Sequence, residues 1–147
     1  MGKNKEKVLG QIMDIQVYDS IFNGLKEYND SVEQNYGNDV VRFAPVKPSY
    51  PLTVLEEIRN VANPSFNSCF DRVSSIGYRV DIYAKTKGNM TKQKIARIVA
   101  QIVDKYMTNI GLLRVSYNVI ELENDSSIYH IIMTYAGNLH ENRNRLV

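Results

Sequence analysis

Residues able to do covalent chemistry are few and scattered along this 147-residue chain. Cys69 is its single cysteine, and His130 and His140 are its only histidines. A thiol nucleophile needs a base beside it. Cys69 lies in a stretch of Asn, Ser and Pro with no motif around it, and reads as a structural or incidental thiol. A zinc site would need more soft ligands than these. His130 stands between Tyr129 and Ile131 and reads as a packed or edge histidine of a strand. Lys87-Gly88 lacks both the upstream glycine and the Lys-Ser/Thr ending of a phosphate loop.

Clustered charges and aromatic residues are more suggestive. Glu56 and Glu57 are adjacent, but strand neighbours point to opposite faces and cannot converge on one substrate atom. Glu121, Glu123 and Asp125 surround a turn. They read as a solvated hairpin tip or as an acidic knob that meets basic residues of a neighbouring subunit, choosing partner and register more than adding affinity. Phe66 and Phe70 sit with Arg72 in a loop over 60–75. The rings either tuck back onto the domain or anchor the loop in a partner, since exposed aromatics at a loop tip favour burial somewhere. Lys3, Lys5, Lys7, Arg143 and Arg145 place positive charge at both ends. They are solvated termini, or they touch packaged DNA or an acidic neighbouring ring. No nucleophile, base and orienting group come together, so the chain reads as a binding protein without catalytic, cofactor or metal residues.

Composition agrees with one domain, 1–147. The 44% hydrophobic and 23% charged content is ordinary for a soluble globular protein of this length. A net charge of +2 falls short of the dense basic stripe of a dedicated nucleic-acid binder. No apolar run is long enough to cross a bilayer, and the polar N-terminus has no signal-peptide core. One cysteine allows no internal disulfide, which suits the cytoplasm where the chain is expected to be made.

These residues need elements to position them. Residues 5–34 read as helical in two pieces, with one stripe of Val8, Leu9, Ile12 and Ile15, another of Ile21, Leu25, Tyr28 and Val32, and a break near Asp19-Ser20. Val40–Ala44 and Leu52–Arg59 are strand candidates, separated by prolines at 45, 48 and 51. Residues 60–75 read as a long loop, of the kind that is functional or mobile. Ile76–Ala84 is the clearest strand: Ile76, Tyr78, Val80, Ile82 and Ala84 share one face, and Gly77, Arg79, Asp81 and Tyr83 the other. Thr91 is a candidate N-cap for a helix whose stripe is Ile95, Ile98, Val99, Ile102 and Tyr106, stopping at Gly111. Leu112–Glu121 and Ile128–Ala136 are strands around a turn, with Gly137 ending the second and a flexible basic tail over 138–147. The fold class is α+β: a mostly antiparallel sheet of four or five strands, covered on its apolar face by the central helix, with the N-terminal helix beside it.

With these pieces in order, a resemblance becomes visible. The run Tyr50 to Glu57, the strand Tyr78 to Ala84, the helix carrying Ile95, Ile98, Ile102, Val103, Asp104 and Met107, and the segment Asn124 to Gly137 together resemble the tail terminators of tailed bacteriophages, also called tail completion or minor tail proteins. The resemblance spans most of residues 40–140 and rests on the order and spacing of short pieces. It implies an α+β subunit that assembles as a homo-oligomeric, hexameric ring on the last ring of the tail tube. That ring stops tube polymerisation and offers a surface to the head–tail connector, or stopper, protein. Implied partners are therefore the tail tube protein, the connector, the sheath if the tail is contractile, and DNA in passing through the lumen, with no membrane. The implied place is the tail–neck junction of the virion; loop placement and residue chemistry, rather than the resemblance, mark Phe66, Phe70, Arg72, Glu121, Glu123, Asp125, Arg143 and Arg145 as interface candidates. A head–tail stopper of similar architecture is the alternative. An RNA-binding module stacking bases on Tyr78, Tyr83, Tyr117 and Tyr135 is a more distant one.

Overall fold

A computed structural model describes residues 16–62, 73–121, 126–140 and 145–146. Helix α1 spans Val17–Ser31, and three strands follow: β1 Asp39–Val41, β2 Leu52–Ala62 and β3 Val73–Ala84. Helix α2 spans Lys92–Asn109, and β4 Leu113–Ile120, β5 Tyr129–His140 and the two-residue β6 Arg145–Leu146 complete the elements of the described residues. The sheet runs in the order β1-β2-β3-β5-β4, with β6 also paired to β5. It is mixed rather than wholly antiparallel, because β1 runs parallel to β2 while the other pairings are antiparallel. The α+β class follows directly, with both helices on one face.

Period-two burial in β3 fixes which face that is. Ile76, Tyr78, Val80, Ile82 and Ala84 are all buried under the helices, as the alternation requires. Across the register, Ile131, Met133, Tyr135 and Leu139 of β5 join them. From above, α2 contributes Ile95, Ala96, Val99, Ala100, Val103 and Met107, and α1 contributes Val17, Ile21, Phe22 and Leu25. The stripe expected on α2 is thus shifted as well as widened: Ile98 lies outside the core cluster and Tyr106 is only partly buried against it, while Ala96, Ala100, Val103 and Met107 join it. Thr91 caps α2 as expected, its hydroxyl accepting from the Lys94 amide at 3.3 Å. At the other end Gly111 takes φ +104°. The Gly111 amide reaches the Thr108 carbonyl and the Leu112 amide reaches that of Met107, a Schellman closure that turns the chain into β4.

Several expectations need correction. The helix does not break near Asp19-Ser20: α1 passes through both, with Gln16 at its N-cap. Asp19 lies in the first turn, where the helix dipole favours an anion, and its carboxylate receives Arg42 at 2.5 Å. The stripe from Val8 to Ile15 lies outside the described residues. The loop expected over 60–75 is shorter, since β2 runs to Ala62 and β3 starts at Val73 as an antiparallel pair; residues 63–72 lie outside the description. Gly137 does not end β5. It sits mid-strand opposite Ile76, and a Cβ there would come within 2.8 Å of Leu112, so its lack of a side chain admits Leu112. The tail expected over 138–147 is not wholly outside the sheet, because residues 138–140 belong to β5 and Arg145–Leu146 pair with it; residues 141–144 and 147 lie outside the description.

Gly24 has a packing role that helix propensity does not suggest. A Cβ on it would lie 1.9 Å from the Tyr106 hydroxyl. The two helices meet through this gap, and Tyr106 stacks on Tyr28 with ring centres 6.1 Å apart. Burial, with a smaller contribution from Glu27, pushes the Tyr106 phenol up to about 12.

Candidate functional site: the uncovered sheet face and its edges

Opposite the helices, the sheet presents the second set of the β3 alternation. Asp81 stands at its centre and is only 6% exposed. Arg79 grips its carboxylate with two hydrogen bonds, of 2.9 and 3.0 Å. From β5, the His130 Nε2 lies 2.7 Å from the same carboxylate. A carboxylate can only accept, so Nε2 carries the proton and donates. The imidazole is 5% exposed and stacks on Tyr83 at 4.2 Å between ring centres. Its Nδ1 is buried without a hydrogen-bond partner. Burial alone would raise the Asp81 carboxyl, but the hydrogen bonds from His130 and Arg79 outweigh it and hold the carboxyl below its ordinary value. Tyr83, covering the pair, has its phenol pushed up by burial and by the Asp81 charge.

The arrangement joins a carboxylate, an imidazole and a guanidinium, yet a charge relay needs an accessible atom to act on, and the carboxylate and imidazole here are sealed. The group fastens β3 to β5. Among the described residues, no cluster of three or more His, Cys, Asp or Glu could hold a metal ion, and no helix is long and apolar enough to cross a membrane.

Two shallow grooves flank β4. One lies between α2 and β4, lined by Arg97, Ala100, Gln101, Asp104, Arg114 and Tyr117 together with Met133. Within it Asp104 accepts from the Tyr135 hydroxyl at 2.8 Å and faces Arg114 at 3.5 Å. Burial and that carboxylate raise the Tyr135 phenol. The other opens on the uncovered face between Arg59 of β2 and Leu113 of β4, above Ala136 and Asn138.

The outstanding feature is the apolar character of β4 itself. Leu113 is 71% exposed and Val115 62%, and Tyr117, Val119 and Ile120 are exposed as well. Strand β4 ends the sheet path, so it offers unpaired backbone groups along with these side chains. Natural edges are ordinarily blunted by charge, brevity or cover; this one runs eight residues with Arg114 its only charged member. At the opposite end of the sheet, the segment that leaves β1 exposes Phe43 at 84% and Val46 at 98%. Ile58 and Val61 of β2 are exposed beyond it.

Of the residues expected at an interface, Glu121 lies exposed just past the end of β4. Arg145 falls in β6 opposite His140. Phe66, Phe70, Arg72, Glu123, Asp125 and Arg143 lie outside the described residues. Glu56 and Glu57 point to opposite faces, as expected of strand neighbours, with Glu56 paired to Arg79 on the open side and Glu57 paired to Tyr78, whose hydroxyl it meets at 3.4 Å. Tyr78 and Tyr135 are buried beneath the helices, so two of the four rings considered for base stacking have no free face. Sequence reasoning passed over the β4 edge. The signal was present in Leu112–Ile120, where apolar residues fall on both alternation phases, as happens in a strand that is apolar on both sides. No known protein family matches this chain, and no curated protein matches it.

Proposed function

We propose that this chain is a structural subunit of a phage neck, a tail terminator whose copies close into a ring on the end of the tail tube and meet the connector on the other side. One observation carries the reading: an uncovered edge strand with five large apolar side chains exposed, a feature that lone domains avoid and assembling subunits use. The order of motifs that resembles the terminator family supports it. The α+β subunit with both helices on one face is compatible with what that resemblance implies. A ring requires two different surfaces of one subunit to meet. Termination then follows if one ring face imitates a tube ring while the other cannot accept a further tube subunit.

Particles assembled without the protein test this. Electron microscopy should show tails of abnormal length and heads left unjoined. Normal-length tails firmly joined to heads would refute the proposal, and normal tails beside filled heads that leak DNA would assign the chain to the stopper role instead.

A further inference from the structure

We propose that, away from the tail, two copies of this chain pair β4 to β4 in antiparallel fashion about a two-fold axis at Asn118, joining their sheets edge to edge. A two-fold pair uses one surface twice and closes, whereas a ring joins two unlike surfaces. The inference therefore goes beyond the neck reading: the dimer covers the apolar edge until assembly. An edge strand with Val115, Tyr117 and Val119 exposed is a template for another strand, and a second copy of β4 is the strand whose charges fit it.

The register shows the fit. Ser116 to Ile120 pair in regular succession with Thr134 to His130 of β5. Val115 is the extra residue of a bulge, since Arg114 and Ser116 face the consecutive residues Tyr135 and Thr134. The bulge changes the side that Arg114 takes. Tyr135, Met133 and Ile131 belong to the core under the helices, so Arg114, Tyr117 and Val119, paired with them, share that side of the sheet. Carried one residue past Ile120, the alternation brings exposed Glu121 to the same side, level with Tyr129. Counted along β5 from Ile132, the partner of Asn118, Arg114 then lies three residues one way and Glu121 three the other.

A two-fold axis normal to the sheet keeps each side chain on its own side and exchanges the two directions along the strand. Placed at Asn118, it sets Arg114 of each copy opposite Glu121 of the other, so one symmetry operation makes two cation–carboxylate contacts. Between them Tyr117 faces Val119 of the other copy, an aromatic against a β-branched residue, which is a favourable cross-strand pair. On the uncovered side Ser116 faces Ile120, and Asn118 meets its own symmetry mate amide to amide. Moving the axis to Tyr117 sets Arg114 against Val119 and leaves Glu121 without a cation, so charge selects the register. Arg114 can serve both neighbours: its side chain is 46% exposed, and Asp104 at 3.5 Å engages one nitrogen of a guanidinium with five donors. Arg97 and Arg114 against Asp104 leave the groove beside β4 positive, which suits an incoming carboxylate.

Mass in solution against concentration reads the contact, and the full-length parent should be a dimer. Arg114→Glu or Glu121→Arg alone turns both attractive pairs repulsive and should weaken dimerisation about tenfold. An equal mixture of these two variants should regain the parental affinity, because every carboxylate in a mixed pair again meets a guanidinium. Circular dichroism matching the parent checks that each variant folds. If Arg114→Glu loses the fold beside Asp104, the test passes to Glu121→Arg and to Val119→Asp at the centre of the contact, both at exposed positions and both expected to weaken the dimer. A parent that stays monomeric up to millimolar concentration, a parent that forms rings in solution, or single variants that dimerise as well as the parent would overturn the two-fold pair. A mixture no tighter than its single variants would overturn the register. The neck reading is decided separately, by microscopy of the assembled particles.

Discussion

Replacing Asp81 by alanine should unfasten β3 from β5 at the centre of the sheet. The cost can be worked from the contacts. His130 is 5% exposed and its Nδ1 is already without a partner. Without the carboxylate its Nε2 proton is stranded too, and an unmade buried bond to a charged group costs about 1.5–3 kcal/mol. Arg79 is more exposed, with 40% of its side chain open to water, so it resolvates and its share is discounted to at most about 1 kcal/mol. The expected loss is therefore about 3 kcal/mol, or roughly 10 °C in Tm for a domain of this size. Urea denaturation measures it. The partner variant His130→Phe keeps a ring against Tyr83 and needs no hydrogen bond, so the double variant should recover much of the loss; removing both members of a buried pair is often close to neutral. The acid limb offers an independent check. A carboxyl whose folded pKa is depressed stabilises the fold above its unfolded pKa of about 4, and that contribution disappears as pH falls through the folded value. The gap between parent and Asp81→Ala should therefore narrow in acid and be full at neutral pH. A loss below about 1 kcal/mol, or strict additivity with His130→Phe, would refute this account of the cluster.

Gly24→Ala should destabilise the domain by about 1–3 kcal/mol in thermal melts, because overpacking against Tyr106 outweighs alanine's better helix propensity; combining it with Tyr106→Leu should restore most of the loss, and an unchanged Tm for Gly24→Ala alone would contradict the packing described. Thr91→Ala removes the hydroxyl that accepts from Lys94 and should cost about 1 kcal/mol, read by denaturant midpoint. Tyr106 titrates at about 12, and Tyr18, Tyr78 and Tyr135 are also raised by burial. Their folded pKa values exceed the unfolded value of about 10, so the stability they contribute is intact below pH 10 and fades as pH rises through the folded values. Ultraviolet titration should show part of the tyrosine absorbance change arriving only with alkaline unfolding, and a single transition near pH 10 with the fold intact would rule that out.

The local pattern determined the elements wherever one period dominated. Ile76 to Ala84 alternates without interruption and is a strand with one buried face; Thr91, the helical stripe and Gly111 delimit α2 from cap to stop. There the choice between helix and strand depends on neighbours a few residues away, and the chain alone carries it. Other features depended on residues brought together from far apart. Asp81 reads as a polar residue on a water-facing side until β5 places His130, 49 positions later, against it. Gly24 reads as a weak point until α2 lays Tyr106 over it, and Gly137 reads as a strand end until Leu112 fills its space. The exposed β4 edge was decided last of all. An apolar strand looks the same in sequence whether it lies in the middle of a sheet or at its border, and only strand order, set by the competition among all pairings for a shared core, left β4 outermost with its side chains uncovered.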